Sequence, residues 1–337
     1  MAQRVCVVGA GVIGLSSAVR IQQKVPGVQV TVLAEKFSPY TTSDGAAGFW
    51  EPYILNDTPP ELITHWGSET WDHLKTLYLS PASADVGVTL LSGYHVHKQP
   101  QQDPAWASKV FGFRHLTKQE LQLFPGFSSG WFSTHLLCEG RKYLPWLMTK
   151  FKKAGGKVQQ WKVTSLTELA DHYDVVVNCC GIGARELVGD NTVEPVRGQV
   201  YRVHAPWIKC FYDAEYDGHD FYIFPCANNV VLGGTAQKGN WNLSPHPTDS
   251  KDIWEGCCQL VPSLRKCKVD HEWVGLRPNR PKVRLERETI GNGSSRLEVV
   301  HNYGHGGSGV TLHWGCAQQA SSLVQEALVS LQLKPKL

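Results

Sequence analysis

Six residues near the start, Gly9-Ala10-Gly11-Val12-Ile13-Gly14, have the types and spacing to hold a phosphate. In a G-x-G-x-x-G turn Gly9 permits the tight bend, and Gly11 lets the backbone approach a pyrophosphate with no Cβ in the way. Gly14 lets the following helix pack close on the strand. The N-terminus of that helix offers unpaired N–H groups and a partial positive charge to the phosphates. Glu35 lies 21 positions after the last glycine and can accept hydrogen bonds from ribose hydroxyls. An acid there argues against a 2′-phosphate, hence against NADP, and leaves NAD and FAD open.

These residues need elements to position them. Residues 4–8 form a short β-branched run, read as a buried strand; residues 15–22 read as a helix and 28–33 as a second apolar strand. Residues 36–53 are a predicted loop. Ser38, Thr41, Thr42 and Ser43 give it hydroxyls, and Gly45-Ala46-Ala47-Gly48 gives it small residues suited to running along a cofactor. Phe49-Trp50-Glu51-Pro52-Tyr53 then brings bulky groups toward whatever lies beyond. Helices are predicted over 62–79 and over 143–154, the latter ended by Gly155-Gly156. Thr117 and Glu120 resemble a capping box.

The run Asp174-Val175-Val176-Val177-Asn178 suits the middle of a parallel sheet, and Cys180-Gly181-Ile182-Gly183 again permits close approach to a ligand. The nucleotide-binding region is therefore expected to be split along the chain. Strand-like segments at 198–203, 221–224, 229–233, 283–286 and 297–300 alternate imperfectly between turns and suggest a second, antiparallel sheet. A second strand, glycine-rich turn and helix closes the chain: residues 299–311, with Gly304, Gly306, Gly307 and Gly309, lead into a helix over 312–331. Its N-terminus would stabilise negative charge, as on a reduced flavin; a second phosphate loop is the competing reading.

At 337 residues the chain can build one large or two ordinary domains. A net charge of +3 with no basic block gives no indication of nucleic acid, and no apolar run approaches the roughly 18 residues of a membrane span. The N-terminal apolar stretch reads as the first strand and not as a signal peptide. Ten cysteines include two adjacent pairs, Cys179-Cys180 and Cys257-Cys258, and no C-x-x-C; reduced, mostly buried thiols are expected. Asn242-Leu243-Ser244 and Asn292-Gly293-Ser294 match a glycosylation pattern that carries no weight without secretion. His301 and His305 fall on a strand and turn with no accompanying carboxylate, so no metal is expected.

Taken in order, these segments resemble the FAD-dependent D-amino-acid oxidase family, which includes D-aspartate oxidase, over nearly the whole chain. The specific pieces are Val7-Val8-Gly9-Ala10-Gly11-Val12-Ile13-Gly14, Thr41-Thr42-Ser43-Asp44-Gly45-Ala46-Ala47-Gly48 and Val196-Arg197-Gly198-Gln199-Val200. To these are added Gly275-Leu276-Arg277-Pro278-Asn279-Arg280-Pro281 and His301-Asn302-Tyr303-Gly304-His305-Gly306-Gly307. The resemblance implies an α/β fold: an FAD-binding Rossmann-like domain (1–50, 145–195, 285–337) interleaved with a substrate domain (51–144, 196–284) on a mixed, largely antiparallel sheet. It implies oxidation of a D-amino acid to an imino acid, hydrolysis to a 2-oxo acid and ammonia, and reoxidation by O2 to give hydrogen peroxide. Hydride transfer from the α-carbon to flavin N5 would need no side-chain base.

Carried over residue by residue, the resemblance places the substrate carboxylate on Arg277 and Tyr222 and the substrate amine on the carbonyl of Gly307. It places cofactor contacts on Gly9, Ala10, Gly11, Val12, Ile13, Gly14, Glu35, Lys36, Thr41, Thr42, Ser43, Ala47, Gly48 and Val163. Further contacts fall on Cys180, Gly181, Gly306, Gly307, Gly309, Val310 and Thr311. Lys36 stands where the family has arginine.

For the substrate side chain the resemblance divides. Ser308 after Gly307 and Gln237-Lys238-Gly239-Asn240-Trp241-Asn242 lie closer to the D-aspartate branch. Glu51 and Tyr53 sit in a segment like the neutral-substrate branch, with Glu51 where that branch has glutamine. The extra arginine of the D-aspartate branch is Ala236 here. Tyr216 is placed as a lid tyrosine, in an acidic segment over 213–220. The expectation is a neutral or basic D-amino acid; a D-aspartate oxidase using His219 or another cation is the alternative. A non-catalytic nucleotide-binding protein or a nicotinamide dehydrogenase would differ by bound flavin and bleaching. A homodimer is left open. Pro335-Lys336-Leu337 departs from the Ser-Lys-Leu peroxisomal address at its first position, so the expected location is peroxisomal and otherwise cytoplasmic.

Overall fold

The computed structural model of the chain describes residues 2–216, 218–291 and 296–333. Arg4–Val8 forms a strand in which Val5, Cys6 and Val7 are fully buried. It pairs in parallel with Gln29–Ala34 on one side and Val175–Asn178 on the other. A strand covered on both faces reads as a continuous apolar run because no position meets water. Lys157–Gln160 extends the sheet beyond Gln29–Ala34; Leu297–Tyr303 and Arg284–Ile290 extend it beyond Val175–Asn178. Five of the six strands are parallel, and only the edge strand Arg284–Ile290 runs the other way. The helices Val12–Lys24 and Gly309–Gln332 pack against each other, and Gly140–Lys153 packs on Val12–Lys24.

The second sheet has nine strands. Its path runs Gln237–Lys238, Glu194–His204, Val230–Gly233, His219–Pro225, Phe211–Tyr216, Val88–His97, Ser129–Cys138 and Phe111–His115, with Lys268–Asn279 also paired to Glu194–His204. All pairs are antiparallel except Val88–His97 with Phe211–Tyr216. The chain visits the two sheets in alternating blocks of two, three, two, six and two strands, so each sheet is assembled from segments far apart in sequence.

Several expectations are met and one is corrected. Thr117 and Glu120 form the capping box of a short helix, and the ten thiols are all unpaired. The segments near 284 and 297, expected in the antiparallel sheet, belong to the parallel one. All seven residues of Leu297–Tyr303 are buried, which is the environment of an interior parallel strand; its polar Glu298, His301 and Asn302 had imitated a half-exposed one. No helix among the described residues is long and apolar enough to cross a membrane. Pro335-Lys336-Leu337 and Asn292-Gly293-Ser294 fall outside the described residues.

Arg197 anchors the second sheet from within. It is fully buried. Nε donates to Asn242 O, Nη1 to Gln237 Oε1 and Asp249 Oδ2, and Nη2 to Gln199 Oε1 and Ser244 O, at 2.6–3.1 Å. All five guanidinium donors are thereby used, which is how a buried charge is tolerated. Arg197→Ala leaves Asp249 without its cation and should cost about 3–5 kcal/mol; denaturant unfolding reports it directly, and a loss below about 1 kcal/mol contradicts the account.

Candidate active site

A cavity of about 1540 Å³ takes its wall from both glycine turns of the first sheet and from one face of the second. Small-ligand pockets span roughly 300–1,000 Å³, so this one has room for a dinucleotide and a second, smaller molecule.

The phosphate end is built from backbone. Gly9 has φ +113°, and a Cβ there would lie 2.4 Å from Cys179 O; a Cβ on Gly14 would lie 2.0 Å from Gly9 O. Those two glycines serve the chain's own close packing. Gly11 differs: its φ of −75° suits any residue, and a Cβ would meet only Ser43 Oγ at 3.2 Å. The space it keeps clear is the cavity's. The one-turn helix Thr42–Gly45 stands opposite. Asp44, 1 % exposed, accepts from Thr41 N, Thr41 Oγ1 and Ser38 Oγ, and Arg202 Nη2 donates to the carbonyls of Gly45 and Ala46. Asp44 and Arg202 thus hold the loop without touching the cavity as ligands would; neither was singled out from the sequence.

Of the expected cofactor contacts, Gly9, Ala10, Gly11, Val12, Ile13, Glu35, Lys36, Thr41, Thr42, Ser43, Ala47 and Gly48 lie on the wall. Val163, Cys180, Gly181, Gly306, Gly307, Gly309 and Val310 lie there as well. Gly14 and Thr311 lie behind it. Thr311 Oγ1 accepts from Glu51 N and donates to Glu51 O; Ser308 Oγ does the same for Tyr53 N and O. Ser308, expected at the substrate, is instead fully buried. The two hydroxyls staple the segment 51–53 to the start of the helix Gly309–Gln332.

At the other end stands Arg277, on Lys268–Asn279. Its Nη1 donates to Thr235 O at 2.8 Å, and its guanidinium faces the Tyr53 ring at 5.9 Å. It makes no ion pair among the described residues. Gly198 on the neighbouring strand makes room, since a Cβ there would sit 2.5 Å from Nη1. Tyr222 stacks on Phe224, with ring centroids 4.9 Å apart, and lines the same wall. Burial pushes the Tyr53 and Tyr222 hydroxyls up, against the pull of Arg277, so both remain protonated donors. Glu51 also lines the wall.

Tyr216 does not. Side chains alternate along a strand, and in Phe211–Tyr216 the residues Asp213 and Glu215 face the cavity while Ala214 and Tyr216 face the apolar core behind the sheet. Tyr216 donates to Gly256 O at 2.7 Å from that core. The lid role expected of it is withdrawn.

The two histidines weighed as metal ligands are also placed. His301 Nε2 lies 2.9 Å from Glu288 Oε2, so a carboxylate does accompany it. His305 lies apart, on the cavity wall, with Nε2 buried and without a hydrogen-bond partner among the described residues. Ligand atoms of Glu51, His95 and His135 come within 4.8 Å of one another. Both His135 nitrogens are already engaged, by Ser133 Oγ and Trp50 O.

The family description "FAD dependent oxidoreductase" matches residues 4–323. The chain belongs to that family. It is 45 % identical to human D-aspartate oxidase, with 98 % of this chain and 96 % of the relative covered. It is 40 % identical to D-amino-acid oxidase of Rubrobacter xylanophilus (96 % and 97 %) and 38 % identical to D-amino acid oxidase of Dugesia ryukyuensis (98 % and 99 %). Among solved structures, glycine oxidase from Geobacillus kaustophilus superposes with a TM-score of 0.77 at 19 % identity, covering 96 % and 95 %, and so shares the fold.

The protein is an FAD-dependent oxidoreductase, and its residues fit that cofactor. The Cβ-free face of Gly11, the unpartnered Nε2 of His305 and the cavity's size all leave room and polar groups for it.

Histidines held away from water set an acid limit on the fold. Tyr143 bridges His73 and His313 at 2.9 Å each. Burial pushes His73 down to about 2, His305 to about 3 and His313 to about 4, and His135 well below its ordinary value. Their stability contribution is complete above the unfolded value of roughly 6.5 and is lost as pH falls through it, because the unfolded chain takes up protons that the fold excludes. Glu51 and Asp220, pushed up by burial to about 7 and about 6, act with the opposite sign. Four histidines against two carboxylates leave a net fall, expected at roughly 2–3 kcal/mol per pH unit between pH 6 and 5. Denaturant titrations of the holoprotein at those pH values measure it; a flat or rising stability contradicts it.

Proposed function

We propose that this chain oxidises D-amino acids, with Arg277 and Tyr222 holding the α-carboxylate and the carbonyl of Gly307 receiving the α-amine. The observation that carries the reading is the guanidinium of Arg277, without an ion pair among the described residues, on the wall of a cavity shared with the cofactor turns. A planar, permanently charged fork suits a carboxylate bidentately. When bound, FAD supplies the two-electron acceptor that takes the α-hydrogen as hydride and, with O2, yields hydrogen peroxide. The chain's share is orientation: Arg277 fixes one end of the substrate, Tyr222 donates beside it, and Tyr53 and Phe224 wall the reacting carbon from water. The imino acid formed hydrolyses to a 2-oxo acid and ammonia.

The strands grouped in the parallel sheet support a cofactor domain over 1–50, 145–195 and 285–337 and a substrate domain over 51–144 and 196–284. The relatives' names include both D-aspartate oxidase and D-amino-acid oxidase, so they do not choose a side chain. Ala236 and the acidic wall favour neutral or basic side chains over D-aspartate, whose second carboxylate would be desolvated without a cation. The test is kcat/KM by peroxide formation across D-Ala, D-Phe, D-Arg and D-Asp; a lead for D-Asp overturns the preference, and silence with all four overturns the oxidase reading. Peroxide formation suits a peroxisomal location, checked by co-sedimentation with catalase, and sedimentation velocity reports on a homodimer.

A further inference from the structure

The cavity wall opposite Arg277 is acidic. Glu51, Asp213, Glu215 and Asp220 all line it. Register explains the grouping. Asp213 lies opposite Tyr222 and Glu215 opposite Asp220 in one antiparallel hairpin, so all four share the cavity face. His95 lies opposite Asp213 on the adjoining strand. Among the described residues Asp213 has His95 Nδ1 at 3.8 Å, and Asp220 accepts from the Tyr53 hydroxyl at 3.3 Å.

A second observation comes from behind the wall. His95 is 2 % exposed and does not line the cavity. It sits 3.8 Å from Glu51 through Nε2 and 3.8 Å from Asp213 through Nδ1, and Nε2 has no hydrogen-bond partner among the described residues. His95 thus sits behind Glu51 and Asp213, while both residues line the cavity in front of it. Tyr53 spans the gap: its ring faces Arg277 and its hydroxyl reaches Asp220. A side chain as long as that of arginine or lysine, with its α-carboxylate on Arg277, crosses the same gap.

Resting on the oxidase reading, we propose that this wall selects D-amino acids with a cationic side-chain end, a guanidinium or ammonium, received by Asp220 and Asp213 with Glu51 beside them. Burial and the neighbouring acids push Glu51 and Asp220 up even against the pull of His95 and Arg277, and a cationic ligand end adds to that pull. Glu215 adds its field from the rim of the hairpin.

The test uses two carboxylates that lack the α-amine and so cannot be oxidised: 5-guanidinopentanoate and its neutral isostere 5-ureidopentanoate. Their dissociation constants are read from the flavin absorbance of the holoenzyme, with D-arginine and D-citrulline compared in parallel by peroxide formation. The guanidinium member of each pair is expected to be favoured at least about tenfold, the scale of a hydrogen bond to a charged group. Asp220→Asn is expected to narrow the gap, and Glu51→Gln to do so independently if the first variant folds poorly. Equal affinity for the two ligands with peroxide still formed overturns this inference alone, as does tighter binding of glutarate than of 5-guanidinopentanoate. Failure of every D-amino acid to give peroxide overturns the oxidase reading beneath it.

Discussion

Arg277→Ala is expected to lower kcat/KM for D-amino acids by about a thousandfold, chiefly through KM, with flavin content unchanged. Removing one partner of a desolvated charge pair costs about 3–5 kcal/mol, and 1.4 kcal/mol is tenfold. The loss is large because nothing near Arg277 can replace it. Its hydrogen-bond partner among the described residues is a carbonyl, Thr235 O, and the Asp220 carboxylate within its field would repel the substrate carboxylate. Arg277→Lys should recover part of the loss, since a point charge lacks the fork. Flavin should stay because the lost side chain contacts Thr235 O and the Tyr53 ring, while the backbone of its strand, where Pro278 O accepts from Gly306 N, is unchanged. Steady-state peroxide assays beside the visible flavin spectrum check both halves; a KM within tenfold of the parent removes Arg277 from the clamp.

The second large effect separates two glycines of one motif. Gly11→Val should give a folded protein that retains less than about a tenth of its flavin. Gly11 already has a backbone conformation any residue adopts, and its Cβ meets only the movable Ser43 hydroxyl. The added methyls enter cavity space that the pyrophosphate needs. Gly14→Ala should do the opposite. Its Cβ would lie 2.0 Å from Gly9 O, a backbone atom in a tight turn, so the fold loses about 1–3 kcal/mol or more. Flavin content after purification and thermal unfolding of the apoproteins distinguish them. Stoichiometric flavin on a folded Gly11→Val protein would contradict this division.

What could be read from the sequence was local. The first glycine turn, its flanking strands and Glu35 lie within one short stretch, and backbone demands there dictate residue type. Arg277 was found through the family-like run Gly275-Leu276-Arg277-Pro278, with no periodicity to announce it. What was missed depended on long-range pairing. The phase of Tyr216 follows from which residues of Phe211–Tyr216 pair with His219–Pro225, and a one-residue difference sends a side chain to the opposite face. Leu297–Tyr303 finds its parallel partner at Val175–Asn178, more than a hundred residues away, which its mixed composition does not advertise. Ser308 was noticed for its identity, yet its task, shared with Thr311, is to tie down a backbone that only the folded chain brings near. His95, Glu51 and Asp213 come from three separate segments and carried no common signal.

The hairpin of Phe211–Tyr216 and His219–Pro225 has a consequence for how such an enzyme can change. Asp213 and Glu215 of its first strand and Asp220, Tyr222 and Phe224 of its second line the cavity, while Ala214, Tyr216, Phe221 and Ile223 fill a core on the far side. Neither strand supplies the glycine turns that hold the nucleotide. On the proposed reading, diet can diverge by exchanging charges at 213, 215 and 220 while the turns that hold the cofactor are left untouched. Relatives sharing one scaffold can specialise on reactants of opposite polarity through a handful of substitutions on a single ribbon.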